Sequence, residues 1–405
     1  MAAYGWVFRY GSPSSTVFTN QVLSFNAFTG RQNYNDNYAG GYFNITIKND
    51  SNQIANFSRG TVVEIDFSTG NTALYGYVSN VDFNDYPGNI GLSTATITCI
   101  DEIARAGKWQ LKEFPLYAES PTIEQAKQTN IGITGWDTPE VLEIFDTGQS
   151  TASGVASYTG TILNRLNLLV QTEKGMLQSR SAGIYFYSRK DIVNGPTTVS
   201  LTPSTISTTT IAYDTFKRTA AGENFYNQVT VQPQTVAEQQ AENIASQTAN
   251  GVSGYAISTV DATTTQALGL ADWLANMQGD PNTLRYEVTF TDVANNATAF
   301  QTLLNSLRVF NTNMISLAWQ AQGQSLKTGL TICEGIGFSG TPAQTTITLY
   351  LSPIEYYNYF ILDSTYLGVL GGGGIVYNQA EITYDESGWT YNDSNADDTA
   401  SRLGW

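Results

Sequence analysis

The sequence contains no histidine and only two cysteines. Without an imidazole, His-based catalytic triads, His-ligated metal centres and histidine pH switches are excluded. Cys99 and Cys333 stand far apart, each in a strand-like run, and read as buried free thiols rather than as a redox pair or a metal site. Charge is scarce as well. Asp, Glu, Lys and Arg make up 13% of the chain, about half the ~25% of an ordinary globular protein. With 19 basic against 35 acidic residues the net charge is -16, which argues against binding a phosphate backbone, a task for clustered Lys and Arg. No run approaches the roughly 18 apolar residues of a membrane span. The opening Met1-Ala2-Ala3-Tyr4-Gly5-Trp6 lacks the basic head and apolar core of a secretory signal. We therefore expect a soluble, unsecreted chain with no membrane partner.

What fills the 405 residues is Ser, Thr, Asn, Gln, Gly and an aromatic share of 12%, a composition suited to sheets. Residues 1–115 alternate with the period of half-buried strands. In Val62-Val63-Glu64-Ile65-Asp66-Phe67 the apolar Val63, Ile65 and Phe67 share one face, with Glu64 and Asp66 on the other. Leu74 to Val78 and Thr94 to Ile100 follow the same rule, separated by the turn cluster Asp85-Tyr86-Pro87-Gly88-Asn89. Asp101 is placed to cap a short helix through Ile103 and Ala104 that Gly107 stops.

Residues 116–200 read as an α+β segment. Glu124 to Asn130 has helical character and Thr134 to Gly160 is loop-rich. Thr161 opens a helix with Ile162, Leu166 and Leu169 on one stripe, Gly175 ends it, and the strand Ile184 to Tyr187 follows. Pro196 to Thr210 fits a strand or an extended linker, and periodicity does not decide. A second β module spans 201–365. It holds the strand Asn227 to Val231 ended by Pro233, an acidic helix over Ala237 to Ser246, and a longer helix over Thr265 to Met277 broken by Gly279-Asp280-Pro281. The alternation of Tyr286, Val288 and Phe290 marks a strand, Ala299 to Leu307 is amphipathic, and strands are expected near 313–320, 328–336 and 344–351. Residues 366–405 join Gly371 to Gly374 to an acidic tail with Glu381, Asp385, Glu386, Asp393, Asp397 and Asp398.

Candidate chemistry is thin. Glu64 and Asp66 form a carboxylate pair of the kind a glycan hydrolase needs, but strand alternation puts polar residues there anyway. Asp393-x-Asn395-x-Asp397 matches the first three ligand positions of a calcium loop, then departs, with Asp398 in place of the turn glycine and Gly404 in place of the bidentate Glu. The glycine run is followed by neither Lys-Ser/Thr nor a helix, so it is no phosphate cradle. Tyr356-Tyr357-Asn358-Tyr359-Phe360 could stack on sugars and reads more simply as core or interface aromatics. We assign no catalytic, cofactor-binding or metal residue, and expect no enzyme and no cofactor.

Several segments in order carry a family resemblance. Gly60 to Ile65, Leu74-Tyr75-Gly76-Tyr77-Val78 and Thr96 to Ala104 resemble the opening of the tail hub (minor tail) proteins of long-tailed bacteriophages, which are related in fold to contractile-tail baseplate hubs. Ile162 to Leu166 through Thr172 to Leu177 is similar to their helix-plus-hairpin insertion. Asn224 to Val231 resembles a further strand of these hubs, and Phe360-Ile361-Leu362-Asp363-Ser364 with Leu367-Gly368-Val369-Leu370 their ending. The chain departs from the family at Gly251-Val252-Ser253-Gly254-Tyr255, where a glycine-basic pair is usual, and in its longer glycine joint.

The resemblance implies a mainly β, α+β chain with two tail-tube-like β-barrel modules (1–115 and 201–365) around the inserted 116–200 segment. It implies a homotrimeric ring joining the tail tube to the tail tip. Its partners would be a distal tail or tail tube protein, a tape measure protein and tail fibre or tip proteins, at the tail tip of a virion assembled in the host cytoplasm. Genomic DNA would pass through the ring without specific binding, past an acidic lumen. The alternative reading is a receptor- or carbohydrate-binding tail-tip module, built on the Tyr- and Trp-rich surfaces.

Overall fold

The computed structural model describes residues 6–357 except 12–15, 51, 68–70, 112–118, 123–124, 127–139, 142–147, 155–157, 181–182, 204–209, 221–224, 281–283, 292–313, 321–324 and 342–343. Within these, strands dominate and helices are short, as expected of the fold class. The first seven strands are β1 (Trp6–Tyr10), β2 (Thr16–Val17), β3 (Val22–Gly30), β4 (Tyr42–Lys48), β5 (Val62–Phe67), β6 (Asn71–Asn84) and β7 (Thr94–Ile100). They pair antiparallel in the order β3-β4-β7-β6-β5-β1-β2. Alternation sets their inward face: Phe43, Ile45 and Ile47 of β4 and Ala95, Ile97 and Cys99 of β7 are buried.

Asp101 caps the helix Glu102–Ala106 by accepting from the Ala104 N–H at 2.8 Å, and Gly107 closes it, both as expected. Five two-residue strands, β8 to β12, follow between Gln110 and Thr161. Of the 124–130 stretch, Gln125 and Ala126 are helical and the rest lies outside the described residues. The helix Ile162–Glu173 starts on a Thr161 cap and buries Ile162, Leu166 and Leu169 as the spacing predicts. Its left-handed C-terminal position is taken by Lys174 (φ 53), not by Gly175. Gly175 answers a different demand: a Cβ there would strike the Tyr187 carbonyl oxygen.

The remaining strands are β13 (Met176–Arg180), β14 (Gly183–Tyr187), β15 (Thr197–Thr202), β16 (Thr210–Ala212), β17 (Thr215–Ala220), β18 (Gln228–Pro233), β19 (Gln239–Glu242), β20 (Gly254–Thr259), β21 (Leu284–Thr291), β22 (Met314–Trp319), β23 (Lys327–Gly340) and β24 (Thr345–Pro353). The ambiguous 196–210 run is thus a strand in part, with β15 parallel to both β16 and β22. The acidic stretch 237–246 is not a helix over its length. Residues 239–242 form β19, antiparallel to β18 with Ala241 opposite Val229, and the helix Ile244–Asn250 begins only after the Asn243 cap. No apolar stripe at helical spacing opposes that pairing. The helix Thr264–Gln278 buries Ala267, Leu270 and Leu274 and packs on the β19-β18-β20 sheet.

One strand joins the two β modules. On one edge β23 pairs with β22 through Lys327–Thr331 and with β3 through Gly335–Gly340; on its other edge it pairs with β24, which continues to β21 and β17. The result is a single 14-stranded sheet, and among the described residues no pairing closes either module into a barrel. The apolar core is continuous across the seam. Trp6 of β1 lies edge-on to Phe25 and Phe338 at 5.2 and 5.7 Å, and its indole donates to Thr345 Oγ1 of β24 at 3.1 Å.

Candidate functional site

Where the modules meet, β3 runs out at Gly30 and Arg31 follows. Opposite it, the β23 register shifts between Cys333 and Gly335 and leaves Glu334 out of the ladder. The two residues then meet twice: the Arg31 N–H donates to the Glu334 carbonyl at 2.9 Å, and Arg31 Nε to Glu334 Oε2 at 2.8 Å. Tyr357 completes a circuit, its hydroxyl donating to Glu334 Oε1 at 2.6 Å and accepting from Arg31 Nη2 at 2.9 Å. The guanidinium lies 5.0 Å from the Tyr38 ring and 5.5 Å from that of Tyr34. All five side chains are buried. Although burial works against its charge, Glu334 holds the Arg31 pKa well above the ordinary value, while burial pushes Tyr38 up to about 12. Burial and the Arg31 charge together lower the neighbouring Lys174. An ion pair sealed from solvent has no face for a substrate, although the Tyr34 and Tyr38 hydroxyls beside it find no hydrogen-bond partner among the described residues. Its effect is to fix one module on the other.

The second feature is exposed. β6 and β7 form a hairpin at whose end β7 is still paired with β4, and the Asp85 to Asn89 turn that joins them is held by the Tyr86 N–H on Ser93 Oγ at 3.1 Å. Around this turn Phe83, Tyr86, Ile90 and Leu92 are 59%, 46%, 66% and 56% exposed. Single exposed apolar side chains are ordinary, but four within one hairpin and its turn are more than chance exposure supplies and mark a candidate contact surface. At its base Arg105 Nη1 meets Glu102 Oε1 at 2.7 Å and lies 3.8 Å above the Tyr77 ring.

This architecture has known counterparts. Over 87% of this chain and 98% of its own, the prophage MuSo2 43 kDa tail protein from Shewanella oneidensis superposes with a TM-score of 0.56 at 12% identity. A tail protein from Neisseria meningitidis MC58 does so over 85% and 96%, with a TM-score of 0.56 at 10% identity. The fold is that of phage tail proteins. No protein-family model matches the sequence, and no curated protein matches it either.

Within this tail-protein fold the candidate residues named from the sequence scatter. Glu64 lies on β5 opposite Arg9, and in the unbroken β1–β5 register Asp66 falls on the same face, as the alternation predicts. Asp66 is nevertheless buried and meets Arg9 Nη1 at 2.7 Å; the β5–β6 register shift beside it places its extra residue on β6 and leaves β5 regular. The two carboxylates thus share a face with Arg9 and differ in burial, Asp66 being buried and Glu64 half-buried. Cys99 and Cys333 are buried free thiols, as expected. Tyr356 and Tyr357 pack in the core, while 358–360, the glycine run and the Asp393 to Asp397 motif lie outside the described residues. Among the described residues no group of three or more His, Cys, Asp or Glu is placed to hold a metal, and no helix is long and apolar enough to cross a membrane. The Arg31–Glu334 circuit was out of reach of sequence reasoning, because its members are 303 residues apart and only the bulge aims Glu334 inward.

Burial also gives the fold a pH dependence. It pushes the Asp101 carboxyl from 3.8 up to about 6, against the hydrogen bonds from Ala104, Gly41 and Ile103. Burial likewise lifts Glu102 from 4.5 to about 7, opposed in part by Arg105. A carboxyl whose folded pKa is raised contributes stability that is full below its unfolded pKa and is lost as pH rises through the folded one. Urea unfolding should therefore show stability falling by on the order of 2–4 kcal/mol between about pH 4 and pH 7. Asp101→Asn keeps the cap, since Asn is an equally good acceptor, and should flatten that slope. An unchanged slope in Asp101→Asn would refute the assignment.

Proposed function

We propose that the chain is a tail hub: a structural virion protein whose homotrimeric ring joins the tail tube to the tail tip. In this reading residues 1–115 and 201–365 are two tube-like modules of one subunit, 116–200 is the insertion between them and 366–405 the joint and tail. Three subunits then present six related modules, matching a sixfold tube on one side and a threefold tip on the other. The observation that carries the reading is the continuous β3–β23 seam, clamped by Arg31 and Glu334. A ring of paired modules keeps its symmetry only if the two modules of each subunit hold a fixed angle. The likeness of fold to two phage tail proteins over most of the chain supports it. A net charge of -16 suits a passage through which DNA slides without adhering.

The test is the mass of the assembled state and its place in the particle. Three chains of 44.1 kDa should run as a trimer in light scattering, and labelling should put the chain at the tail tip. A monomer at every concentration, absent from purified virions, overturns the proposal. The apolar hairpin offers a sharper handle. Phe83→Ser with Ile90→Ser changes exposed side chains only, so the unfolding midpoint should stay within about 0.5 kcal/mol of wild type. Incorporation into virions should nevertheless be lost, and normal incorporation would remove the hairpin from the contact surface.

A further inference from the structure

The loop after Arg31, the helix Ile162–Glu173 and β20 enclose an open pocket of about 440 Å³, within the ~300–1,000 Å³ typical of small-molecule sites. Its lining is rich in side-chain amides, with Asn35, Asn37, Asn164 and Gln171 among them, joined by the rings of Tyr158 and Tyr255. Among the described residues no carboxylate, ammonium or guanidinium belongs to the lining itself, although Arg165 lies 5.5 Å from the Tyr158 ring and Lys174 bonds to Gln171 from behind. In a chain of net charge -16, a cleft of this kind is set apart by chemistry rather than by depth.

Three of the amides, Gln171, Asn37 and Asn167, are held in defined orientations. Gln171 Nε2 donates to the Asn35 carbonyl at 3.3 Å and to Asn37 Oδ1 at 3.0 Å. A backbone carbonyl only accepts, so this end of Gln171 is its NH₂ group and Asn37 meets it with oxygen. Lys174 Nζ holds the other end, Gln171 Oε1, at 2.9 Å. Asn37 Nδ2 is left without a partner among the described residues, and so is the exposed side-chain amide of Asn164. The walls are also tied together. Asn167 donates from Nδ2 to the Tyr38 carbonyl at 2.9 Å and accepts the Tyr38 N–H on Oδ1 at 2.9 Å, which locks loop to helix. Tyr255 stacks on Tyr226 with centroids 4.6 Å apart, fixing its ring plane.

We propose that this pocket binds an uncharged saccharide, whose hydroxyls bond to the free amides of Asn37 and Asn164 and whose C–H face lies on the tyrosine rings. An amide donates and accepts at once, as a vicinal diol does, so the two satisfy each other without leftover groups. A charged ligand would lose water here with no charged group of the described lining to meet it, and an apolar one would leave the amides it covers unpaired. The ring described under the proposed function is not required for this, since every wall comes from one subunit.

The test is saturation-transfer NMR on the full chain with glucose, galactose, rhamnose and N-acetylglucosamine, and with glucuronic acid as the charged probe. Transfer is expected to at least one neutral sugar and not to glucuronic acid. Asn37→Ala should weaken that sugar about tenfold, the loss of one well-made hydrogen bond, and Asn164→Trp should abolish it by filling the mouth. Both residues are exposed, so an unchanged unfolding midpoint reports an intact fold. If Asn164→Trp does not fold, Asn37→Ala carries the decision alone. No transfer to any neutral sugar, equal transfer in wild type and Asn37→Ala, or equal binding of glucuronic acid overturns the proposal. The solution mass of the assembly is indifferent to all three outcomes, so failure here leaves the hub reading standing.

Discussion

Glu334→Ala is expected to destabilise the chain by about 3–5 kcal/mol, because it strands a buried cation. Arg31 would keep its charge with no carboxylate in reach, and the Tyr357 hydroxyl would lose its acceptor at 2.6 Å. The Tyr38 and Tyr34 rings, 5.0 and 5.5 Å from the guanidinium, return only about 0.5–2 kcal/mol. Against a total stability of roughly 5–15 kcal/mol, the loss is large enough to read directly from urea unfolding. Removing both charges is a different matter. Arg31→Met with Glu334→Leu replaces a desolvated pair by apolar volume and should recover most of the stability. A single variant that costs under about 1 kcal/mol would mean the pair is not sealed from water.

A second large effect belongs to two glycines. Gly30 has φ +93, and a Cβ there would strike the Glu334 carbonyl oxygen and come within 2.7 Å of Gly335 Cα. Gly40 has φ +89, and its Cβ would strike the backbone of Ala104 in the helix Glu102–Ala106. In both places the obstacle is main chain, which cannot rotate away. Gly30→Ala and Gly40→Ala should each cost about 3 kcal/mol or more, the left-handed backbone and the overlap adding together. Gly60 separates the two causes: its φ is +88, yet nothing lies within 4 Å of an added Cβ. Gly60→Ala should cost only the backbone share, roughly 1–2 kcal/mol. Equal losses at Gly30 and Gly60 in urea unfolding would refute the close approach at the seam.

Much of this fold was legible because local rules governed it. The Val63/Ile65 and Tyr286/Val288/Phe290 alternations, the Asp101 cap and the Ala267/Leu270/Leu274 stripe each depend on neighbours a few residues away. The misreadings share another origin. Asp66 is buried against Arg9 of the distant strand β1, and residues 239–242 become a strand because β18 offers an edge to pair with, neither of which a period can report. The seam was illegible for the same reason. Nothing local in Gly30-Arg31 or Glu334-Gly335 announces that they close on one another, and the amide pocket likewise gathers residues from three distant stretches.

With Gly335–Gly340 gripped by β3 along one edge and by β24 along the other, the described residues hold no hinge at this seam. Twisting one half against the other would mean stripping a whole row of interstrand bonds at once. In the proposed ring, any widening of the bore would accordingly have to come from whole subunits slipping past their neighbours, like staves in a hoop, rather than from a subunit that opens.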